Sequence, residues 1–185
     1  MPMVIWVTGL SGAGKTTLCF ALRNLLKDRL PELVVLDGDV VRAAFGHDLG
    51  HQEADRIVQV KRLQGMSKAL TDQNMVVIVG VLYNNPELLL WNQQNFPDYF
   101  EVYIKTSLET VISRDSKGLY KKAQSGEIVD VVGIDIPWHA PAKPNLTLDG
   151  DRPRPPLELA GLVAKSIPRL RASLPPEILG VRDPV

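Results

Sequence analysis

Gly9-Leu10-Ser11-Gly12-Ala13-Gly14-Lys15-Thr16-Thr17 is the stretch from which the rest of this 185-residue chain can be read. It follows the phosphate-binding pattern of a glycine, four further residues, a second glycine, a lysine and a hydroxyl side chain. Gly9, Gly12 and Gly14 let the backbone turn tightly and bring its N–H groups, those of Ser11, Ala13 and Thr17 included, against phosphate oxygens. Lys15 supplies a point charge for the β- and γ-phosphates, and the Thr16 hydroxyl is placed to ligate Mg²⁺. The flanks agree with this reading. Met3-Val4-Ile5-Trp6-Val7 is an apolar, β-branched run that reads as a buried strand. Leu18, Leu22, Leu25 and Leu26 recur at helical spacing until Pro31 closes the pattern. The loop therefore lies between a strand and a helix N-terminus, where the helix dipole favours anions.

Working outward, the composition is that of a soluble globular protein: 45% hydrophobic, 23% charged and formally neutral. The expectation is one domain over residues 1–174, large enough for a core, with a poorly ordered tail at 175–185. Zero net charge leaves no electrostatic footprint for nucleic acid. The single Cys19 excludes an internal disulfide, fits a reducing compartment and reads as a small packing residue in the first helix. No segment approaches the ~20 apolar residues that span a bilayer. Nor does the N-terminus pair a basic region with an apolar one, so a cytoplasmic protein is expected.

Strand patterns alternate with helix-length segments, which predicts an α/β fold: a parallel five-stranded sheet with helices on both faces. Further strands are expected at 33–36, 75–82, 100–105 and 146–148, with 75–82, the most apolar, at the sheet centre. Helices are expected at 40–45, at 53–72 with Ile57, Val60, Leu63 and Leu70 inward, and at 86–94 with Pro86 first. Another follows a Ser107 cap, and the last spans 157–170, where Pro168 should kink or end it. Residues 113–144 show charges, glycines and prolines without periodicity and read as a long functional loop or lid. There are no repeats and no second domain.

Asp37 closes the second strand, at the sheet edge where open α/β folds bind ligands. A carboxylate there can anchor Mg²⁺ or take a proton from a substrate hydroxyl; alone, it could equally be a turn aspartate before Gly38. His47 and His51 lack metal-site spacing, so no zinc centre is expected.

Asp37-Gly38-Asp39-Val40-Val41-Arg42 is followed by Asp48-Leu49-Gly50 and by Glu53-Ala54-Asp55-Arg56. Downstream come the Arg114-Asp115-Ser116-Lys117-Gly118-Leu119-Tyr120-Lys121-Lys122-Ala123 run and Gly133-Ile134-Asp135. From residue 4 to about residue 149 this ordered set resembles the adenylylsulfate kinases. The resemblance implies a three-layer P-loop fold of the nucleoside-monophosphate-kinase type with a mobile lid at about 114–144. It also implies an enzyme in which ATP phosphorylates the 3′-hydroxyl of a nucleotide bearing a 5′-sulfate. By matching position, Lys15 and Asp37 would be catalytic, with Thr16 and Asp37 at Mg²⁺ and Arg114 near ATP. Asp39, Arg42, Arg56, Gln59, Leu82, Tyr83, Asn84, Lys117, Lys121 and Val131 would face the acceptor, with Lys122 nearby. A guanidinium gives planar, bidentate recognition of sulfate or phosphate, which suits Arg42 and Arg56 as a clamp on the 5′ group. Arg56 and Gln59 share one helix face. A small-molecule nucleotide is the expected partner, with a homodimer left open and with neither nucleic acid nor membrane.

The chain also departs from that family. His51 and Val131 stand where two aromatics sandwich the adenine, and Leu82-Tyr83-Asn84-Asn85-Pro86 replaces an Ile-Ser-Pro-Tyr-Arg type segment. Gln59 replaces an asparagine. The ATP half and the anion clamp are kept while the base-binding half is rebuilt. Stacking contributes ~1–3 kcal/mol per base, so the change bears on the acceptor. Two acceptors follow: adenylylsulfate by default, or another 5′-modified nucleotide such as the cytidine diphosphoramidate that a related group phosphorylates. A P-loop switch is a third reading, against which stand the lid and the lack of an Asn-Lys-x-Asp motif.

Overall fold

A computed structural model describes residues 2–115 and 118–179 of the chain. Along it run β1 (Met3–Thr8), α1 (Lys15–Leu26), β2 (Leu33–Asp37), α2 (Gly38–Ala44), α3 (Glu53–Thr71), β3 (Val76–Val81) and α4 (Pro86–Asn95). These are followed by β4 (Tyr99–Lys105), α5 (Leu108–Arg114), α6 (Leu119–Gln124), β5 (Leu146–Asp149), α7 (Pro156–Ser166), α8 (Pro168–Ala172) and α9 (Pro176–Leu179). The sheet is five-stranded, in the order β2-β3-β1-β4-β5, and every pairing is parallel. The expectation that β3 is central is corrected. β1 holds the centre and β3 lies between it and β2. Every residue of both strands is buried, so apolarity reports coverage on two faces and not rank within the sheet.

Successive side chains of β1 feed two cores, as the strand's period of two requires. Ile5 and Val7 pack with Leu18, Leu22 and Ala160 under α1 and α7, while Val4 and Trp6 pack with Val60, Leu63 and Tyr120 beneath α3 and α6. The chain runs from β1 to β2 on one side of β1, and β4 pairs with its other edge. A crevice therefore opens at the carboxyl end of β1, where the phosphate loop emerges.

One expectation holds and two are refined. Pro168 does interrupt the last helix, leaving α7 and α8 separated at Ile167. Residues 113–144, expected as a long loop or lid, include α6, and Tyr120, Val131, Val132 and Ile136 belong to the core. Isolated apolar anchors hold an aperiodic segment in place, a pattern that periodicity does not register. The tail is ordered through residue 179, because Ile178 packs on the first core against Gly161, where a Cβ would lie 3.4 Å from it. Residues 180–185 lie outside the described residues. No described helix is long and apolar enough to cross a membrane.

Candidate active site

The phosphate loop is shaped by close approach. A Cβ on Gly9 would lie 2.7 Å from the Ile104 carbonyl oxygen on β4, and Gly14 caps α1 at φ 98°, a left-handed conformation that glycine adopts without strain. The first turn of α1 therefore opens onto a cleft of about 250 Å³ lined by Ser11, Gly12, Gly14, Lys15, Thr16 and Thr17 on one side and by Asp37, Gly38 and Asp39 on the other. Lys15 Nζ donates to the Leu10 carbonyl at 2.8 Å. The Thr16 hydroxyl donates to Asp37 Oδ2 at 2.6 Å. Asp37 Oδ1 accepts from the N–H groups of Asp39 (2.9 Å) and Val40 (3.3 Å), and so caps α2. Thr16 and Asp37 thus bring two hard oxygens together beside the cleft. That donor set fits Mg²⁺, which keeps a few protein oxygens and completes its shell with water and phosphate.

Behind the carboxylate, a Cβ on Gly80 would lie 3.2 Å from Cys19 Sγ and 3.5 Å from Asp37 Oδ2. Burial, with Asp37 adding to it, pushes the Cys19 thiol up to about 12. It is a neutral packing group.

A second cavity of about 700 Å³ adjoins the cleft and shares Ser11, Gly38, Asp39 and Leu82 with it. Its walls include Arg42, His51, Arg56, Gln59, Tyr83, Leu119, Val129, Asp130 and Val131. Arg42 Nη1 donates to the carbonyls of Leu49 and Gly50, both at 2.8 Å. Arg56 donates through Nε to the His51 carbonyl (2.7 Å) and through Nη2 to that of Asp130 (2.6 Å). The two residues are only 9% and 8% exposed. Among the described residues no carboxylate forms an ion pair with either guanidinium. Burial first, then the charge of Arg42, lowers the Arg56 pKa. Burial and then the two arginines also lower that of His51, whose ring is therefore neutral at physiological pH. Two buried cations with no direct ion pair among the described residues, Asp130 and Asp135 acting on Arg56 only at longer range, make a site that can admit an anion.

Gln59 joins the two cavities. Its Nε2 donates to the Gly38 carbonyl at 3.1 Å, between the two aspartates of the turn, and its Oε1 accepts from Arg62 Nη1 at 3.2 Å. Arg62 was not among the residues singled out from the sequence. It forks onto Asp48 at 3.1 and 2.7 Å and lies 4.0 Å over the Phe45 ring, which pins the loop carrying His51. The three-residue spacing from Gln59 was visible, but the Asp48 contact depends on how the loop folds back.

Tyr83 lines this second cavity, its hydroxyl donating to Glu53 Oε1, and burial pushes its pKa up to about 12. Asn84 is a correction. It is 1% exposed, donates to the Thr8 hydroxyl and accepts from Trp6 Nε1 at 3.4 Å, so it fills the sheet interior and not the pocket. Asn85 caps α4 by accepting from Leu88 N–H at 2.8 Å. Arg114 lines neither cavity; its Nη2 donates to the Gly150 carbonyl at 2.8 Å, after β5. Lys121 is exposed and also outside both linings, while Lys117 lies outside the described residues.

Comparison with known proteins matches this geometry. The sequence profile of the adenylylsulphate kinase family covers residues 1–149. An adenylyl-sulfate kinase of Pseudomonas entomophila is 40% identical over 150 residues, 80% of this chain and 72% of the relative. A cytidine diphosphoramidate kinase of Campylobacter jejuni is 40% identical over 140 residues, 76% of this chain and 82% of the relative. Among solved structures, the Mycobacterium tuberculosis APS kinase in complex with AMPPNP and APS superposes with a TM-score of 0.81 at 35% identity, covering 89% of this chain and 96% of that one.

Proposed function

The chain belongs to the adenylylsulphate kinase family, and on that premise we propose that it transfers the γ-phosphoryl group of ATP to the 3′-hydroxyl of a 5′-modified nucleotide, adenylylsulfate by default. One observation carries the reading: two buried guanidiniums, neither in an ion pair with a described carboxylate, line a cavity that adjoins the phosphate cleft. An anionic end of the acceptor held by Arg42 and Arg56 leaves its sugar near the Ser11–Gly38–Asp39 boundary, next to the γ-phosphate position.

Phosphoryl transfer asks mainly for alignment and charge stabilisation and little for a strong base. Lys15 gives up the Leu10 carbonyl for phosphate oxygens and stabilises the charge on the transferring group. Thr16 and Asp37 would hold Mg²⁺, which when bound would supply positive charge to neutralise the phosphates. Asp37 already accepts from three donors, which favours the anchoring role. Asp39 is the carboxylate shared by both cavities, and on this reading it, rather than Asp37, takes the hydroxyl proton. Arg42, Arg56 and Gln59 orient the acceptor, and Leu119 and Val131 roof it against water. The reading places the enzyme in cytoplasmic sulfate assimilation and leaves a homodimer as its assembly.

A second acceptor is favoured by a specific observation. Among the described residues neither Phe nor Trp lines the acceptor cavity; its aromatic rings are those of His51 and Tyr83. Cytidine diphosphoramidate, on which a relative acts by name, is therefore the alternative. The test is kcat/KM for adenylylsulfate against that compound, read as ADP release. A preference for the first supports the default, a preference for the second replaces the acceptor, and turnover with neither overturns both.

A further inference from the structure

We propose that the Tyr120 hydroxyl is a positioning group through which the phosphate loop sets the roof of the acceptor cavity. The proposal rests on the reading of residues 9–17 as the ATP phosphate site.

Tyr120 is 1% exposed, and its hydroxyl crosses from α6 to donate to the Ser11 carbonyl at 3.0 Å. The carbonyl immediately before it, that of Leu10, accepts from Lys15 Nζ at 2.8 Å. Two adjacent carbonyls of one loop thus hold two different parts of the protein: the phosphate-seeking lysine and the roof. The loop meets the returning end of the same segment as well, because a Cβ on Gly133 would lie 3.4 Å from Leu10 Cδ2. Between these contacts Leu119, Ile128, Val129, Asp130 and Val131 line the acceptor cavity. Arg56 grips the Asp130 carbonyl from below at 2.6 Å.

A nucleotide draws Lys15 from the Leu10 carbonyl to its phosphates. The Leu10–Ser11 peptide then loses one of its tethers, while the Tyr120 bond still leads to α6. The N-terminus of that helix is held by the Asp115 carboxylate, which accepts from Tyr120 N–H at 3.1 Å and Lys121 N–H at 2.9 Å. A displacement at Ser11 is therefore passed to the cavity roof as movement of a braced element. Burial, with Asp115 adding to it, pushes the Tyr120 pKa up to about 12, so the hydroxyl stays a donor throughout the physiological range. The ring alone would fill the core equally well as phenylalanine. The hydroxyl adds only the bond to the loop.

The test compares the full-length protein with Tyr120→Phe, using AMPPNP with Mg²⁺ as the probe. Calorimetry gives its affinity, and amide hydrogen exchange is followed in peptides within 119–131. In the wild type AMPPNP should slow exchange there roughly tenfold, as the loop closed around the phosphates steadies the Tyr120–Ser11 bond. In Tyr120→Phe that protection should vanish while AMPPNP affinity stays within about threefold. The acceptor KM should rise by about the lost factor with ATP KM unchanged. AMPPNP that binds the wild type without protecting 119–131, or protection that survives in Tyr120→Phe, overturns the proposal alone. Equal losses in AMPPNP affinity and acceptor KM reduce Tyr120 to a structural residue and overturn it too. A wild type that does not bind AMPPNP overturns the nucleotide reading and this proposal with it.

Discussion

Replacing Asp37 by asparagine separates the roles of this carboxylate, because the amide is nearly the same shape. Asp37 is 5% exposed and receives the Thr16 hydroxyl at 2.6 Å on one oxygen and the Asp39 and Val40 N–H groups at 2.9 and 3.3 Å on the other. The asparagine carbonyl keeps the two cap bonds, and the Thr16 hydroxyl can rotate to accept from the new amide. What is lost is charge assistance on these bonds, ~0.5–1.5 kcal/mol of stability. Asp37→Ala also uncaps α2, at a further cost of ~1 kcal/mol. Turnover should fall far more, by ~10²–10⁴, because a charged group at the phosphate cleft is neutralised in a water-poor site. Thermal melts give the first quantity, steady-state kinetics the second and calorimetry with AMPPNP the ATP affinity, which should change by less than about tenfold. Turnover within about threefold of wild type, with the fold intact, would refute the placement of Asp37 at the reacting phosphates. Equal losses in affinity and turnover would make it only a shaper of the nucleotide site.

Arg56→Lys keeps the charge but loses the fork that reaches both His51 and Asp130, so acceptor KM should rise ~10–100-fold while ATP KM stays within about threefold. An equal rise in both constants in a steady-state assay would contradict the clamp. Gly9→Ala drives a Cβ toward the Ile104 carbonyl at 2.7 Å, and melting should show a loss of ~1–3 kcal/mol together with weaker AMPPNP binding; an unchanged melt would show that the loop has room. Glu101 is 2% exposed, accepts from the Tyr99 hydroxyl at 2.9 Å through Oε2 and leaves Oε1 without a partner. Burial raises its carboxyl above the ordinary 4.5, so the folded state holds this proton longer than the unfolded chain. The stability this lends is present below the unfolded pKa and is lost as pH rises through the folded one. Glu101→Gln does not titrate, so its melting temperature should gain on wild type from pH about 5 to about 8. A difference that stays flat over that range would place a charged, solvated Glu101 in the fold.

The phosphate loop, the α/β class and the Ser107 cap were legible because each is a local matter: a pattern within a few residues that chain chemistry resolves without distant partners. Arg42 and Arg56 were legible through family pattern, but their burial against backbone carbonyls was not, since it depends on carbonyls that the 49–51 loop and residue 130 bring to them. Asn84 misled for a similar reason. An amide at a strand end can face a ligand or satisfy the core, and the choice was made by Trp6 and Thr8 on the neighbouring strand. α3 looked like an apolar-faced helix, yet it also buries Arg56, Gln59, Gln64, Ser67 and Thr71. Polar residues on an inward face carry no periodic signal. The buried anchors Tyr120 and Val131 were likewise hidden within a stretch that composition reads as loop.

The central claim is phosphoryl transfer to a nucleotide 3′-hydroxyl by the phosphate loop, and one measurement bears on it most directly. Purified protein is given ATP, Mg²⁺ and the better acceptor, and the product's phosphate is located by phosphorus–proton coupling in NMR, with Lys15→Ala alongside. The account predicts ADP formation that requires acceptor, a new phosphate on the 3′ oxygen, and a rate ~10²–10⁴ lower in the variant. ADP formed at the same rate without acceptor, a phosphate at any other position, or a Lys15→Ala enzyme as fast as wild type would contradict it.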